Sequence, residues 1–156
     1  IEQLKQFPNE TFRVYGYDRE AQDGNLHYKP FSKEGFMNDL ASSKAVMATA
    51  GFTLMSEALW LKKPMLALPM AGQFEQQLNS HCLEQMGLGK NASEPTREAV
   101  GDFLYRLPEY RTALAQHKAR DNTAILNKLD ELLADDCALA REFHANRKAY
   151  AAPEVG

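Results

Sequence analysis

The chain has 156 residues, a formal net charge of −3 and a charged fraction of 25%. That length suits one domain with its own core, and the acidic balance argues against a nucleic-acid partner. No apolar stretch approaches the length of a membrane-spanning helix, and the start at Ile1 lacks the pattern of a secretory leader. Cys82 and Cys137 have no metal-ligand spacing around them, so we expect reduced thiols in a cytoplasmic protein.

The first quarter of the chain contains two strand-like segments and a helix. From apolar spacing and β-favouring composition we predict the end of a helix at 1–7, strands at 12–17 and 26–29, and a helix at 33–43. Ser32 is suited to cap this helix. The polar residues 18–25 contain Asp23-Gly24-Asn25 and are predicted to form a loop.

The segment from Lys44 to Ser80 has the clearest pattern. Ala45–Ala48 and Met65–Leu68 are apolar runs, typical of strands that are buried on both faces. Between them a helix is predicted at 52–63, because apolar residues recur at helical spacing until Pro64 prevents continuation. A strand, a helix and a second strand in this order favour a right-handed parallel crossover.

The turn that enters this helix has the features of a phosphate site. Gly51 lets a ligand approach the backbone, and the first amides of the helix, from Phe52 onward, have no partner within it. Aligned peptide dipoles make that end attractive to a phosphate, to which Thr53 could add a hydroxyl. Glu57 lies one turn further along the same face and could accept hydrogen bonds from ribose hydroxyls. A nucleotide would satisfy both residues, but an ordinary crossover with Glu57 in solvent explains them equally well.

Helices are predicted for most of the second half of the chain. We expect them at 74–86, 97–107, 108–135 and 136–150, followed by a tail at 151–156. In the first of these, Leu78, Cys82 and Met86 lie four residues apart, and Gly87 is suited to a left-handed cap.

Two polar residues open the first of these helices. Glu75 and Gln76 follow a predicted parallel strand at its carboxyl end, which is where open α/β sheets bind ligands. A carboxylate and a carboxamide at that place can hydrogen-bond adjacent sugar hydroxyls. Alternatively, the carboxylate only stabilises the start of the helix.

These motifs together resemble the donor half of a GT-B glycosyltransferase. They are, in order, Ala50-Gly51-Phe52-Thr53-Leu54-Met55-Ser56-Glu57, Lys63-Pro64, Pro69 and Glu75-Gln76-Gln77-Leu78-Asn79. Their order and spacing are similar to those of the N-acetylglucosaminyltransferases that form lipid II and of UDP-glucuronosyltransferases, over about residues 12–89. One departure is Ala50, where many members have glycine.

The resemblance implies an α/β fold, with a Rossmann-like parallel sheet and helices on both faces, over residues 1–150. The first strand of such a domain would precede Ile1. The resemblance also implies a UDP-sugar donor as substrate, with no cofactor and no bound metal. Its phosphates would lie at Gly51, Phe52 and Thr53, its ribose at Glu57 and its sugar at Glu75 and Gln76. Phe31 would pack on the base, or else it belongs to the core beneath the sheet.

The acceptor and the catalytic base usually belong to a separate N-terminal domain in this family. We therefore assign no catalytic residue here, and we expect the fragment alone to be inactive. The acceptor is unknown, and the resemblance allows one that is associated with a membrane. Two alternatives stay open: a UDP-sugar 2-epimerase fragment, whose arginine signature is absent from Gln73-Phe74-Glu75-Gln76, and a non-enzymatic flavodoxin-like interaction module.

Overall fold

The computed structural model describes residues 1–117, 123 and 126–131. The chain divides into two units, Ile1–Lys118 and Ala119–Gly156. In the second unit, residues 123 and 126–131 are helical. The predicted helix at 136–150, the tail at 151–156 and Cys137 lie outside the described residues, so the expected single domain over 1–150 stays a prediction.

The described part of the first unit contains short strands that alternate with helices after the third strand. It begins with a 3-10 helix at Glu2–Gln6. The strands are β1 (Phe12–Val14), β2 (Ala21–Asp23), β3 (Leu26–Tyr28), β4 (Val46–Ala48), β5 (Met65–Ala67) and β6 (Gly89–Asn91). The helices are α1 (Lys33–Ser42), α2 (Phe52–Trp60), α3 (Phe74–Gln85), α4 (Arg97–Tyr105) and α5 (Leu107–Gln116). No described helix is long and apolar enough to cross a bilayer.

The strands form two three-stranded sheets, ordered β1-β3-β2 and β4-β5-β6. The second sheet is parallel throughout, with Val46 opposite Met65 and Met65 opposite Gly89. Helices α2 and α3 connect its successive strands, so the predicted parallel crossover is confirmed. In the first sheet, β1 is parallel to β3 and β2 is antiparallel to it.

Helices cover both faces of β5, whose three residues are all buried. Leu66 packs into one core cluster, and Met65 and Ala67 pack into another. The Leu66 cluster takes its helical members from the N-terminal 3-10 helix, α4 and α5, whereas the Met65 cluster includes Met55 of α2 and Leu83 of α3. The predicted α/β architecture, with helices on both faces of the sheet, is therefore confirmed.

Two local predictions were wrong, and one strand was not predicted at all. The predicted loop at 18–25 contains β2, an exposed strand that depends on its hydrogen bonds with β3. Strand β6, with the sequence Gly-Lys-Asn, has little intrinsic preference for a strand and forms because it pairs with β5. The helix predicted at 108–135 ends at Gln116, because His117 takes an extended conformation and its carbonyl accepts a bond of 2.5 Å from Lys62 Nζ.

The apolar spacing on α3 does not mark its buried face. Leu78 and Met86 are 49% and 52% exposed, and Cys82 is exposed as well. The buried residues of this helix are Ser80 and Leu83. A small residue at position 80 allows close packing, so the helix contacts the core through a narrower face than the pattern indicates. Gly87 has the predicted left-handed conformation, with a φ of 67°.

Strands β1 and β4 lie at the ends of their sheets, and no described strand pairs with the outer edge of either. Phe12 and Val14 make their backbone bonds on the side of β3, and Val46 and Ala48 make theirs on the side of β5. An ion pair between Glu10 and Lys44 joins the segments that enter the two strands. The amino ends of β1 and β4 therefore lie together. Both strands also pack against the Leu66 core cluster, and each of them has an open edge.

We expect two glycine-to-alanine changes to have opposite effects on stability. A Cβ on Gly89 would lie 2.1 Å from the Met65 carbonyl oxygen, so Gly89→Ala should lower the free energy of unfolding by about 2 kcal/mol or more. A Cβ on Gly101, inside α4, would have no atom nearer than 3.8 Å, so Gly101→Ala should raise it by about 0.5–1 kcal/mol. Urea unfolding of both variants is the measurement, and equal effects would contradict this packing of β6 against β5.

Candidate functional site

The predicted site residues follow three strands at their carboxyl ends. Phe31 follows β3, the turn at Gly51 follows β4, and Glu75 lies in the helix that follows β5. The Glu10–Lys44 ion pair links the segments that enter β1 and β4. Each of the predicted site residues therefore follows the carboxyl end of a strand, which is where open α/β sheets bind ligands.

The turn between β4 and α2 presents an uncapped helix start. Gly51 is the N-cap of α2 and makes no side-chain hydrogen bond, and the first bond of the helix runs from Met55 N to Gly51 O at 3.1 Å. Helices α1 and α4 differ, because Ser32 and Thr96 cap them with bonds of 3.1 Å. No described side chain therefore caps the first amides of α2, and the phosphate site at this turn stays a prediction.

Gly51 is not required by the conformation of the turn. Its φ is −68°, which any residue can adopt, and a Cβ placed on it would have no atom within 4 Å. The neighbouring Ala50 is fully buried in the Met65 cluster, so its methyl group fits the fold. The described residues therefore leave the space beside Gly51 open.

Asn79 fixes this turn from the adjacent helix. Its Nδ2 donates to the Ala50 carbonyl oxygen at 3.1 Å, which links α3 to the chain just before α2. Sequence reasoning included Asn79 in a motif but gave it no role. The only signal was its place three residues after Gln76, on the helix that follows the neighbouring strand.

Thr53 and Glu57 share the predicted face of α2, but their surroundings differ. Thr53 is exposed, whereas Glu57 is half-buried. Glu57 lines an open cavity of about 440 Å³ together with Met37, Ser56, Trp60 and Leu61. The carboxylate thus borders a concave surface between α1 and α2 that is largely apolar.

Glu75 and Gln76 lie in the first turn of α3, as predicted. Glu75 is exposed, and Gln76 accepts a hydrogen bond of 3.1 Å from the Met70 amide through its side-chain oxygen. Gln76 therefore shapes the loop between β5 and α3, while its two N–H donors are not used by this bond.

Phe31 is 67% exposed, so the alternative that placed it in the core beneath the sheet is wrong. Its ring lies against that of Phe36, with centroids 5.7 Å apart and an interplanar angle of 42°. Phe36 in turn meets the ring of Tyr15 edge-on, with centroids 5.1 Å apart. The exposed ring is thus supported from one side by two further aromatic residues.

Asp39 of α1 is the centre of a polar cluster that the sequence did not predict. Its carboxylate accepts bonds from Tyr15 Oη at 2.5 Å and Lys29 Nζ at 2.6 Å, and Arg13 lies 3.4 Å away. Burial alone would raise the pKa of Asp39, but bonds from Lys29 and Tyr15, with the charge of Arg13, hold it below its ordinary value. Burial, followed by the bond to Asp39, raises the pKa of Tyr15 to about 12.

The fold is that of a Rossmann-like domain in which helix α2 starts without a side-chain cap, and comparisons with known proteins identify its family. The family model for glycosyl transferase family 1 matches residues 1–108. The chain belongs to this family. An uncharacterized glycosyltransferase of Methanosarcina mazei is 34% identical over 90 residues, which cover 58% of this chain and 22% of that protein.

Two solved structures share the fold. The glycotransferase of kitacinnamycin matches with a TM-score of 0.60 at 16% identity, over 74% of this chain and 32% of that one. The spinosyn forosaminyltransferase SpnP matches with a TM-score of 0.67 at 17% identity, over 85% of this chain and 38% of that one. The predicted resemblance to GT-B glycosyltransferases is confirmed, and the chain spans between about a fifth and two fifths of the length of these proteins.

The Gly51→Ala variant distinguishes an effect on ligand binding from an effect on folding stability at this turn. Because a Cβ there would meet no protein atom, we expect the free energy of unfolding to change by less than about 1 kcal/mol. We also expect the affinity for UDP to fall about tenfold or more, because the methyl group would occupy the space through which a phosphate reaches the backbone. Urea unfolding and calorimetric titration measure the two effects, and Gly101→Ala is the control that should leave UDP affinity unchanged. Unaltered UDP affinity in Gly51→Ala would contradict a phosphate site at this turn.

Proposed function

We propose that this chain is the donor-binding half of a glycosyltransferase that takes a UDP-sugar and passes the sugar to an acceptor. The observation that carries the proposal is the uncapped start of α2 at Gly51, fixed by Asn79, in a chain of glycosyl transferase family 1. A dipole-assisted anion site of this kind suits a diphosphate. The free, exposed Cys82 supports a cytoplasmic location for this half.

Each part of the donor has a proposed partner along the edge. The base packs on the exposed ring of Phe31, and the diphosphate receives bonds from the first amides of α2 and from the Thr53 hydroxyl. Glu57 accepts bonds from the ribose hydroxyls, one helical turn further along. Glu75 and Gln76 hydrogen-bond the sugar through a carboxylate and an amide N–H group.

The proposed role of this half in the reaction is to stabilise the leaving group. When the bond between the sugar and the diphosphate breaks, negative charge grows on the diphosphate, and the amides and dipole of α2 favour that charge. No three His, Cys, Asp or Glu side chains in the described residues come close enough to share a metal ion. We propose that the acceptor and the base are held by another domain of the whole protein, and that the acceptor is associated with a membrane.

The open edges of β1 and β4 support the proposal that the whole protein completes this sheet. Among the described residues, no strand pairs with the outer edge of β1 or of β4, and the Glu10–Lys44 ion pair links the segments that enter them. Such edges are favourable sites for an additional strand. We propose that one parallel strand from the remainder of the protein pairs with β1 on one side and β4 on the other.

A nucleotide titration tests the proposed donor. We expect amide chemical shifts around Gly51 and Glu57 to respond to UDP at lower concentration than to ADP or GDP, and we expect no sugar transfer by this chain alone. Binding should be weak, because one side of the ligand faces water. An equal response to all three nucleotides would favour a non-enzymatic interaction module instead. UDP-sugar-specific transfer by the chain alone would show that the catalytic base lies within it.

Glu57→Gln tests the ribose contact within that titration. Replacing the charged acceptor should weaken UDP binding by about 1–3 kcal/mol, with little effect on stability, because the side chain lies at an open cavity. Glu98→Gln, which changes an exposed carboxylate on α4, is the matched control and should leave UDP binding unchanged. Equal UDP affinities for Glu57→Gln and the unmodified chain would remove the ribose assignment.

Alanine at Glu75 or Gln76 tests the sugar contact. Glu75→Ala should reduce the affinity for an intact UDP-sugar about tenfold and leave that for UDP nearly unchanged. Gln76→Ala should show the same preference with an additional smaller loss for UDP, because Gln76 also holds the Met70 amide. Titration of each variant with both ligands is the measurement. Equal losses for the two ligands in both variants would mean that these residues only support the loop.

A further inference from the structure

The loop between β3 and α1 is fixed at both ends by contacts with the same helix. At its start, the Lys29 amide donates to the Val14 carbonyl at 2.9 Å, and Lys29 Nζ donates to Asp39 of α1 at 2.6 Å. At its end, the Ser32 hydroxyl accepts a bond of 3.1 Å from the Gly35 amide. Between these points, Pro30 restricts the backbone further. The position of Phe31, the one remaining residue of the loop, therefore depends on how α1 is held against β1 and β3.

Asp39 is the residue that holds α1 in this place. It accepts bonds from Tyr15 and Lys29, which directly follow β1 and β3, so one carboxylate joins a helix to the carboxyl ends of two paired strands. Its side chain is only 16% exposed, so these bonds are shielded from water more than those of a surface ion pair. A carboxylate with two short bonds and a nearby guanidinium has a strong preference for one geometry.

The same cluster supports the aromatic ring itself. The Tyr15 hydroxyl is bound to Asp39 at 2.5 Å, the Tyr15 ring meets Phe36 edge-on, and Phe36 lies against Phe31. A fixed Tyr15 thus limits where Phe36 can lie, and Phe36 limits the position of Phe31. A 67% exposed aromatic ring would otherwise adopt several rotamers, since solvent gives it no fixed partner.

We propose that Asp39, acting through Tyr15 and Lys29, is a positioning residue that sets the affinity of the site for the nucleobase. Asp39 itself touches no ligand. It keeps the Phe31 ring in the orientation that packs on a base. The entropy cost of fixing this ring therefore arises during folding and not when the ligand binds. This inference rests on the proposed function, because it assumes that a base lies on Phe31.

The test compares UDP with inorganic pyrophosphate, which has no base. Tyr15→Phe removes one hydroxyl and keeps the ring, and Asp39→Asn keeps the shape of the side chain and removes its charge. We expect each variant to bind UDP about three- to tenfold more weakly and to bind pyrophosphate within about twofold of the unmodified chain. Amide chemical shifts at Gly51 follow both ligands at the weak affinities expected here.

Asp102→Asn is the matched control. Asp102 accepts a bond of 2.7 Å from Lys90 and its pKa is also lowered, first by that bond, but it lies on α4. It should change neither affinity. Tyr15→Phe keeps the test independent of folding, because it leaves the aromatic contact with Phe36 in place.

The outcomes separate this inference from the proposed function. If the unmodified chain binds UDP and Glu57→Gln weakens that binding, while Tyr15→Phe and Asp39→Asn do not, the positioning role is overturned and the proposed function stands. Equal losses of UDP and pyrophosphate in the two variants would also overturn it, because a general structural role affects both ligands. If the unmodified chain shows no preference for UDP, both proposals fall.

Discussion

The burial of β5 on both faces is the constraint on which the second sheet and its turns depend. Met65, Leu66 and Ala67 are fully buried, and each neighbouring strand has to lie close enough to complete their backbone bonds. At Gly89 this approach is so close that the Met65 carbonyl oxygen lies 2.1 Å from where a Cβ would be. A strand this enclosed cannot shift, so the carboxyl ends of β4 and β5, and the turns that follow them, have fixed positions.

Helices α2 and α3, which start at these turns, have no side-chain caps, and neither does α5. Ser32 and Thr96 cap α1 and α4, but α2 and α3, which follow β4 and β5, have no such bond. Glycine at an N-cap costs only about a few tenths of a kcal/mol relative to a capping side chain. At Gly51 a capping side chain would occupy the place where the proposed anion would reach the amides. Asn79 offsets part of the loss, since it fixes the Ala50 carbonyl without covering the helix start.

Sequence patterns predicted the elements whose intrinsic conformational preference agrees with the way they pack in the fold. Strands β4 and β5, the Ser32 cap and the left-handed Gly87 are all of this kind and were confirmed, although β4 is only half-buried and not buried on both faces as predicted. Strands β2 and β6 could not be predicted, because their exposed or strand-unfavourable residues take an extended form only through pairing with β3 and β5. The apolar spacing on α3 predicted the wrong buried face for a related reason. Leu78 and Met86 are exposed, whereas Ser80 is buried, because a small residue lets the helix approach the core closely.

The candidate site was predictable to a similar extent. Gly51, Thr53, Glu57, Glu75 and Gln76 belong to continuous motifs, and the sequence placed each of them at its observed turn or helix. The Asp39 cluster was not predictable, because Arg13, Tyr15, Lys29 and Asp39 come from three elements and have no shared spacing. Ion pairs between elements leave no periodic signal in a sequence, and only the pairing of β1 with β3 brings these four residues together.

The proposed donor site extends over both sheets, and this has a consequence for affinity. In the proposal, the base lies at Phe31, which follows β3, and the phosphates and sugar lie at residues that follow β4 and β5. Between the sheets the described contacts are the Glu10–Lys44 ion pair at the far end and the core cluster around Leu66, with no backbone ladder joining β1 to β4. In the proposal, a strand paired with both β1 and β4 would add a backbone ladder between the two sheets. The two parts of the donor site would then be held in place before the donor binds, so we expect the complete sheet to bind it more tightly than this chain does alone.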